Sequence, residues 1–182
     1  MGAAARTCDG SLGILLADAN ILIDLVDADA LCLIGELVRT GLAAVYVPRI
    51  IYDEVAEMIT ELQVAALGIV ILPVERALVA RAAAYPDKSL SAPDRTLIVT
   101  AQERGYSVWT NDRRLRQNCS AQGVATLWEF EALLPLVERD YFSADELLAI
   151  ARRVEEANPF LTGIASRLGE RLMKKGKQTT HK

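Results

Sequence analysis

The run Gly13-Ile14-Leu15-Leu16-Ala17-Asp18 limits what the rest of the chain can become. Four apolar residues behind a glycine read as a short strand covered on both faces, as in a parallel sheet. The run stops at an acid, Asp18, where the strand should meet its first turn. Ile21, Leu22, Leu25 and Val26 then recur at helical spacing, so the chain passes directly from strand to helix. In an open parallel sheet, ligands sit beyond the carboxyl ends of the strands. Asp18 is therefore a candidate for chemistry, and so is any acid placed to face it.

The same alternation continues. A helical pattern through Leu33, Ile34, Leu37 and Val38 closes at Gly41, and Ala43 to Val47 reads as a second strand ended by Pro48. Proline suits a helix start, so one amphipathic helix is expected from Arg49 to Leu67, with Glu54 near its beginning. Ile69 to Leu72, Ser107 to Thr110 and Val124 to Leu127 read as further strands. Helices are expected over 74–85, from about Leu90 to Gly105, and over 129–137. The pattern implies an α/β fold, a three-layer α/β/α domain with a five-stranded, mostly parallel sheet over residues 1–139. A C-terminal helical extension, 140–182, follows. Ser143-Ala144-Asp145-Glu146 opens its first helix with a capping box, and Asn158-Pro159 stops it.

Composition narrows the class. The 182 residues are 52% hydrophobic but only 5% aromatic, so the core must rest on Ala, Leu, Ile and Val. A net charge of −4 excludes a globally basic nucleic-acid binder and leaves room for local patches. The region 160–182 is one such patch, with six Lys/Arg against one Glu. Cys8, Cys32 and Cys119 show no paired spacing, and the single His is His181, which argues against zinc and disulfides. No signal peptide or membrane span is evident, and a cytoplasmic location is expected.

Four acids fall at element junctions. Asp18 ends the first strand, Glu54 follows the second, Asp94 opens the helix before the fourth, and Asp112 follows it. Brought together, they would repel strongly, by about 4 kcal/mol for two unit charges 4 Å apart at an effective dielectric near 20. Such a cluster calls for bound protons or a cation. Oxygen ligands without His or Cys select Mg²⁺ or Mn²⁺, cations suited to metal-assisted hydrolysis of a phosphodiester. Each acid also has a bland explanation. Ser91-Ala92-Pro93-Asp94 is a capping pattern, Asp112 sits in a first helical turn, and Glu54 fits a solvated helix face. Asp18 is the hardest to explain this way, because an acid ending a doubly covered strand is costly unless paired.

Leu15 to Leu25, with Ala17-Asp18-Ala19-Asn20 at its centre, and Val47-Pro48-Arg49-Ile50-Ile51-Tyr52-Asp53-Glu54-Val55 together resemble a PIN domain. So do Leu90-Ser91-Ala92-Pro93-Asp94 and Trp109-Thr110-Asn111-Asp112-Arg113. The resemblance spans about Leu12 to Val137. It implies an Mg²⁺- or Mn²⁺-dependent ribonuclease acting on RNA, of the kind known as the toxins of VapBC-type toxin–antitoxin pairs. Asp18, Glu54, Asp94 and Asp112 match the family's acidic quartet, catalytic and metal-binding. Asn20 and Thr110 match polar positions that orient the carboxylates. Arg113, Arg114 and Arg116 are candidates to hold RNA phosphates; Asp24, six residues after Asp18, is a weaker candidate for the rim of the site, with a solvated helix surface expected for it. Trp109 and Trp128 are expected in the core.

The extension departs from the family's small toxins. Its apolar stripes, Leu147, Leu148, Ala151 and Val154, then Leu161, Ile164, Leu168 and Leu172, need burial, and the family's frequent homodimers favour a second copy. Arg167, Arg171, Lys174 and Lys175 would then hold RNA. An antitoxin protein is a further candidate partner. Two alternatives stand beside the nuclease. One is a non-cleaving PIN-like scaffold for RNA or protein. The other is a haloacid-dehalogenase-like phosphatase, which would want a second Asp where this chain has Asn20.

Overall fold

The structure, a computed structural model, describes residues 11–87 and 89–179, with side chains through residue 174. The expectations for Cys8, His181 and the Lys175 side chain lie outside the described residues.

Strands β1 (Leu12–Leu16), β2 (Ala43–Pro48), β3 (Val70–Leu72), β4 (Ser107–Trp109) and β5 (Thr126–Leu127) form one sheet. Their order is β3-β2-β1-β4-β5, and every neighbouring pair is parallel. The five-stranded sheet is thus fully rather than mostly parallel. β1 lies at its centre, and Gly13 to Leu16 are buried, as a strand covered on both faces must be. Leu16 lies opposite Trp109 in register, and the Ala17 N–H donates to the Trp109 carbonyl at 3.0 Å.

The helices are α1 (Ala19–Asp27), α2 (Cys32–Arg39), α3 (Arg49–Tyr52), α4 (Glu61–Ala66), α5 (Arg76–Ala83), α6 (Ala92–Arg104), α7 (Arg113–Ala121), α8 (Leu134–Glu138), α9 (Ala144–Ala157) and α10 (Ile164–Thr179). The chain winds outward from β1 through β2 to β3, then crosses to β4 and β5 on the other side of β1. The winding direction therefore reverses between β1 and β4. The carboxyl ends of those two strands open a crevice there.

Two elements differ from expectation. The single helix over 49–67 is broken into α3 and α4. Thr60 takes an extended conformation and starts α4 with a capping box to Gln63, and the buried Tyr52 hydroxyl donates to the Ile59 carbonyl at 3.1 Å. These bonds favour a fresh start over continuation. Glu54 consequently sits in the turn after α3. The helix expected from Glu129 begins instead as a 3-10 turn over Glu129–Leu133, with Glu129 at φ +50°.

The extension is built into the core. Leu147, Ile150, Ala151 and Val154 of α9 and Ile164 and Leu168 of α10 are buried, α9 lies against α1, and α10 lies against α9. The stripes expected to meet a second copy are thus largely covered within the chain.

Candidate functional site

Asp18, Glu54, Asp94 and Asp112 all line one open cleft of about 600 Å³, which Asn20 and Thr110 line as well. Four separate segments deliver these acids. β1 ends at Leu16, two residues before Asp18, and β4 ends at Trp109, three before Asp112, so both acids sit at the reversal point of the sheet.

Three of the four also start helices. Asp18 is the N-cap of α1. Its Oδ1 accepts the Asn20 N–H and the Asn20 amide, both at 3.1 Å. Its Oδ2 accepts the Asn111 N–H at 3.0 Å and the Thr110 hydroxyl at 3.5 Å. Thr110, fully buried, accepts the Asp112 N–H at 3.0 Å, and Asp112 caps α7 through the Leu115 N–H at 2.8 Å. Asp94 shares a reciprocal capping box with Ser91, at 3.1 and 3.3 Å. Capping and cleft placement therefore coexist. Each cap bond of Asp94 and Asp112 engages one carboxylate oxygen, leaving the other for the cleft.

Glu54 is exposed. Among the described residues, no Lys or Arg forms an ion pair with any of the four acids. Also among the described residues, no three His, Cys, Asp or Glu side chains stand close enough to hold a metal ion as they are. The acids share the cleft without converging on one point.

Two further residues belong to this cleft, beyond the acids and polar positions matched to the family. Asp24, expected in solvent, is 6% exposed and accepts the Asn158 amide at 2.8 Å. Burial pushes its carboxyl above the ordinary range against the pull of Asn158, and Asp18 and Asp27 add to the rise. Its place three residues after Ile21, on the buried face of α1, was a usable signal. Asn158, on the far side of the chain sequence, offered none.

Asn111 links the site to the extension. Its backbone N–H holds Asp18, while its side-chain oxygen accepts the Glu129 N–H at 3.0 Å. The Glu129 carbonyl accepts the Trp109 indole N–H at 2.7 Å. The Glu129 carboxylate, 5% exposed as a residue, accepts Nε and Nη2 of Arg167 at 2.9 and 2.6 Å. Arg171 approaches Glu129 at 3.7 Å and Glu131 at 3.4 Å.

The basic residues are therefore more committed than their sequence suggests. Arg167 and Arg171, expected to hold RNA, serve Glu129 and lie with Arg116 over the Trp128 ring, at 5.5, 5.0 and 4.4 Å from its centre. Arg114 donates to the Ser89 carbonyl at 2.7 Å, and it is exposed, as are Arg113 and Lys174. Trp109 is in the core, as expected, and Trp128 is half-buried. Cys119 is fully buried, and that burial pushes its thiol up to about 12. No helix among the described residues is long and apolar enough to cross a membrane.

No curated protein matches the chain. A family model does: the PIN domain model matches residues 15–120, a span that holds Asp18, Glu54, Asp94 and Asp112 and more than half of the chain. With a parallel sheet that reverses direction between β1 and β4 and acids gathered at that reversal, the chain belongs to the PIN domain family.

Proposed function

We propose that this protein is a divalent-metal-dependent endoribonuclease in which Asp18, Glu54, Asp94 and Asp112 hold Mg²⁺ or Mn²⁺. PIN domains are generally metal-dependent nucleases. The observation that carries the reading is that four carboxylates from four segments line one cleft with no basic ion-pair partner among the described residues. The donor set fits a hard cation: it is all oxygen, and the oxygens of Asp94 and Asp112 not used in capping are free to turn inward. A cation would supply the attraction that draws these side chains together.

Such a cation, when bound, activates water and neutralises charge developing on a phosphodiester. The protein's own groups position the reactants. Asn20, Thr110 and the Asn111 N–H fix both oxygens of Asp18, which removes a rotamer search from ion binding. The N-termini of α1, α6 and α7 all open on the cleft through Asp18, Ser91 and Asp112. Their partial positive charge favours a phosphate there. Arg113 and Arg114 are exposed at the start of α7 and suited to flanking phosphates.

The finer form of the reading is a toxin with an antitoxin partner and a homodimeric state. Host growth arrest on expression, relieved by Asp94→Asn, would support the toxin role. The basic test is cleavage of labelled RNA with Mn²⁺ or Mg²⁺ and with EDTA. Cleavage should need the metal and should be lost in Asp94→Asn. RNA left intact under every metal condition would remove the enzyme reading and favour a binding scaffold.

A further inference from the structure

One wall of the acidic cleft comes from outside the matched region. Asn158, Phe160 and Leu161 line the cleft with the acids, although the family match ends at residue 120. The turn that carries them is tightly held. The Asn158 amide donates to Asp24 Oδ1 at 2.8 Å, and Asn158 Oδ1 accepts the Phe160 N–H at 3.1 Å. The Asn158 carbonyl accepts the Leu161 N–H at 3.0 Å, and the Thr162 hydroxyl donates to the Pro159 carbonyl at 2.7 Å. Pro159 fixes its own φ at the first position of this one-turn 3-10 helix.

Phe160 sits on this turn and is 98% exposed. Its neighbour Leu161 packs partly against the core. A large ring left in water adds nothing to folding, yet the turn bearing it is anchored to a buried carboxylate of the cleft. The arrangement holds an apolar face beside a site whose substrate, on the reading above, is a polyanion with aromatic bases. Phosphates belong near the helix N-termini, and an apolar ring offers them nothing. It offers a base a surface to stack on, provided that the base is not already stacked in a duplex.

We infer that Phe160 is a stacking platform for an unpaired nucleobase next to the phosphodiester in the cleft, so that the extension selects single-stranded over double-stranded nucleic acid. The inference rests on the nuclease reading for its substrate, but its central measurement does not need cleavage. Arg113 and Arg114 give the strand sequence-independent charge contacts, whereas Phe160 discriminates strand state.

The test uses the full chain as wild type, Phe160→Ala and Phe160→Trp, with a fluorescein-labelled 12-nucleotide single-stranded RNA and its duplex. Binding is read by anisotropy in Ca²⁺, a hard cation that neutralises the cleft acids, and cleavage is read separately with Mn²⁺. Because Phe160 is exposed, all three proteins should melt alike. Phe160→Ala should weaken single-strand binding by roughly 5- to 150-fold, the equivalent of about 1–3 kcal/mol for one stacked base. It should leave duplex binding unchanged. Phe160→Trp should keep the affinity, and its added indole emission should be quenched by the single strand. If wild type cleaves but Phe160→Ala binds and cleaves single strands equally well, the stacking role is overturned and the nuclease stands. If no protein cleaves but Phe160→Ala still loses single-strand affinity, the platform stands and the nuclease reading falls. If Phe160→Ala changes only the sedimentation of the protein, the ring serves a protein contact and the inference is overturned.

Discussion

Asn158 donates a hydrogen bond to Asp24 at 2.8 Å across 134 residues of sequence, tying the end of α9 to the first helix of the PIN domain and to its acidic cleft. Asp24 lies on the buried face of α1 and Asn158 caps the turn after α9, yet nothing in either segment names the other as its partner. The bond makes the end of α9 part of the site's construction. The contact of α9 with α1 and the Arg167–Glu129 pair also tie the extension to the domain.

The clean probe of the acid site is Asp94→Asn. Asp94 accepts one bond from the Ser91 N–H, and an asparagine oxygen can do the same, so the helix start survives. Metal-dependent cleavage should fall by about 100-fold or more, the scale of losing a charged group that acts in the transition state, with little change in Tm. Asp18→Asn should abolish cleavage too but also destabilise by about 1–2 kcal/mol. Asp18 accepts four bonds through two oxygens, and an amide NH₂ would oppose a donor. Equal melting of the two variants would contradict this difference.

Asp24→Asn should stabilise the protein at neutral pH. The buried carboxyl is raised from its ordinary value near 3.8, so its neutral form is the one that folding favours. The stability it contributes is complete below that ordinary value and is lost as pH rises through the raised one. The asparagine oxygen still accepts from Asn158 without a charge. The variant's advantage in urea unfolding should therefore grow between pH 3 and pH 7. A constant or inverted difference would show that the charged form is the one held by the fold.

Arg167→Met should destabilise by on the order of 3 kcal/mol, because Glu129 is left buried with only the longer Arg171 contact. Glu129→Gln combined with Arg167→Met should lose less than Arg167→Met alone, since no charge is then stranded. Because the Glu129 N–H also binds Asn111, Arg167→Met should lower the affinity for Mn²⁺ measured by calorimetry. An unchanged affinity with lowered stability would confine Arg167 to a structural role.

Deleting 140–182 should give an insoluble or molten protein rather than a free-standing domain. Leu147, Val154, Ile164 and Leu168 are buried in the common core, each worth about 2 kcal/mol of burial. Their sum is a large share of the few kcal/mol by which a domain is stable. A truncated chain that unfolds cooperatively with undiminished Tm would show that the extension is separable.

The amino-acid sequence by itself determined the central strand, the order of strands and helices, and the four acids at their junctions. Those signals are local: Gly13 to Asp18 states strand and terminus in six residues, and Ser91 with Asp94 states a helix start in four. It also held the break after Tyr52, through Thr60 and Gln63, although the apolar spacing of 49–67 masked it. Tertiary structure alone decided which acids share a cleft, because winding reversal between β1 and β4 brings Asp18 and Asp112 together from 94 residues apart. It alone decided that Asp24 meets Asn158, that Arg167 and Arg171 pair with Glu129, and that Phe160 reaches the cleft. Each of these depends on a partner far away in sequence, and no periodicity within one helix carries the identity of a partner outside it.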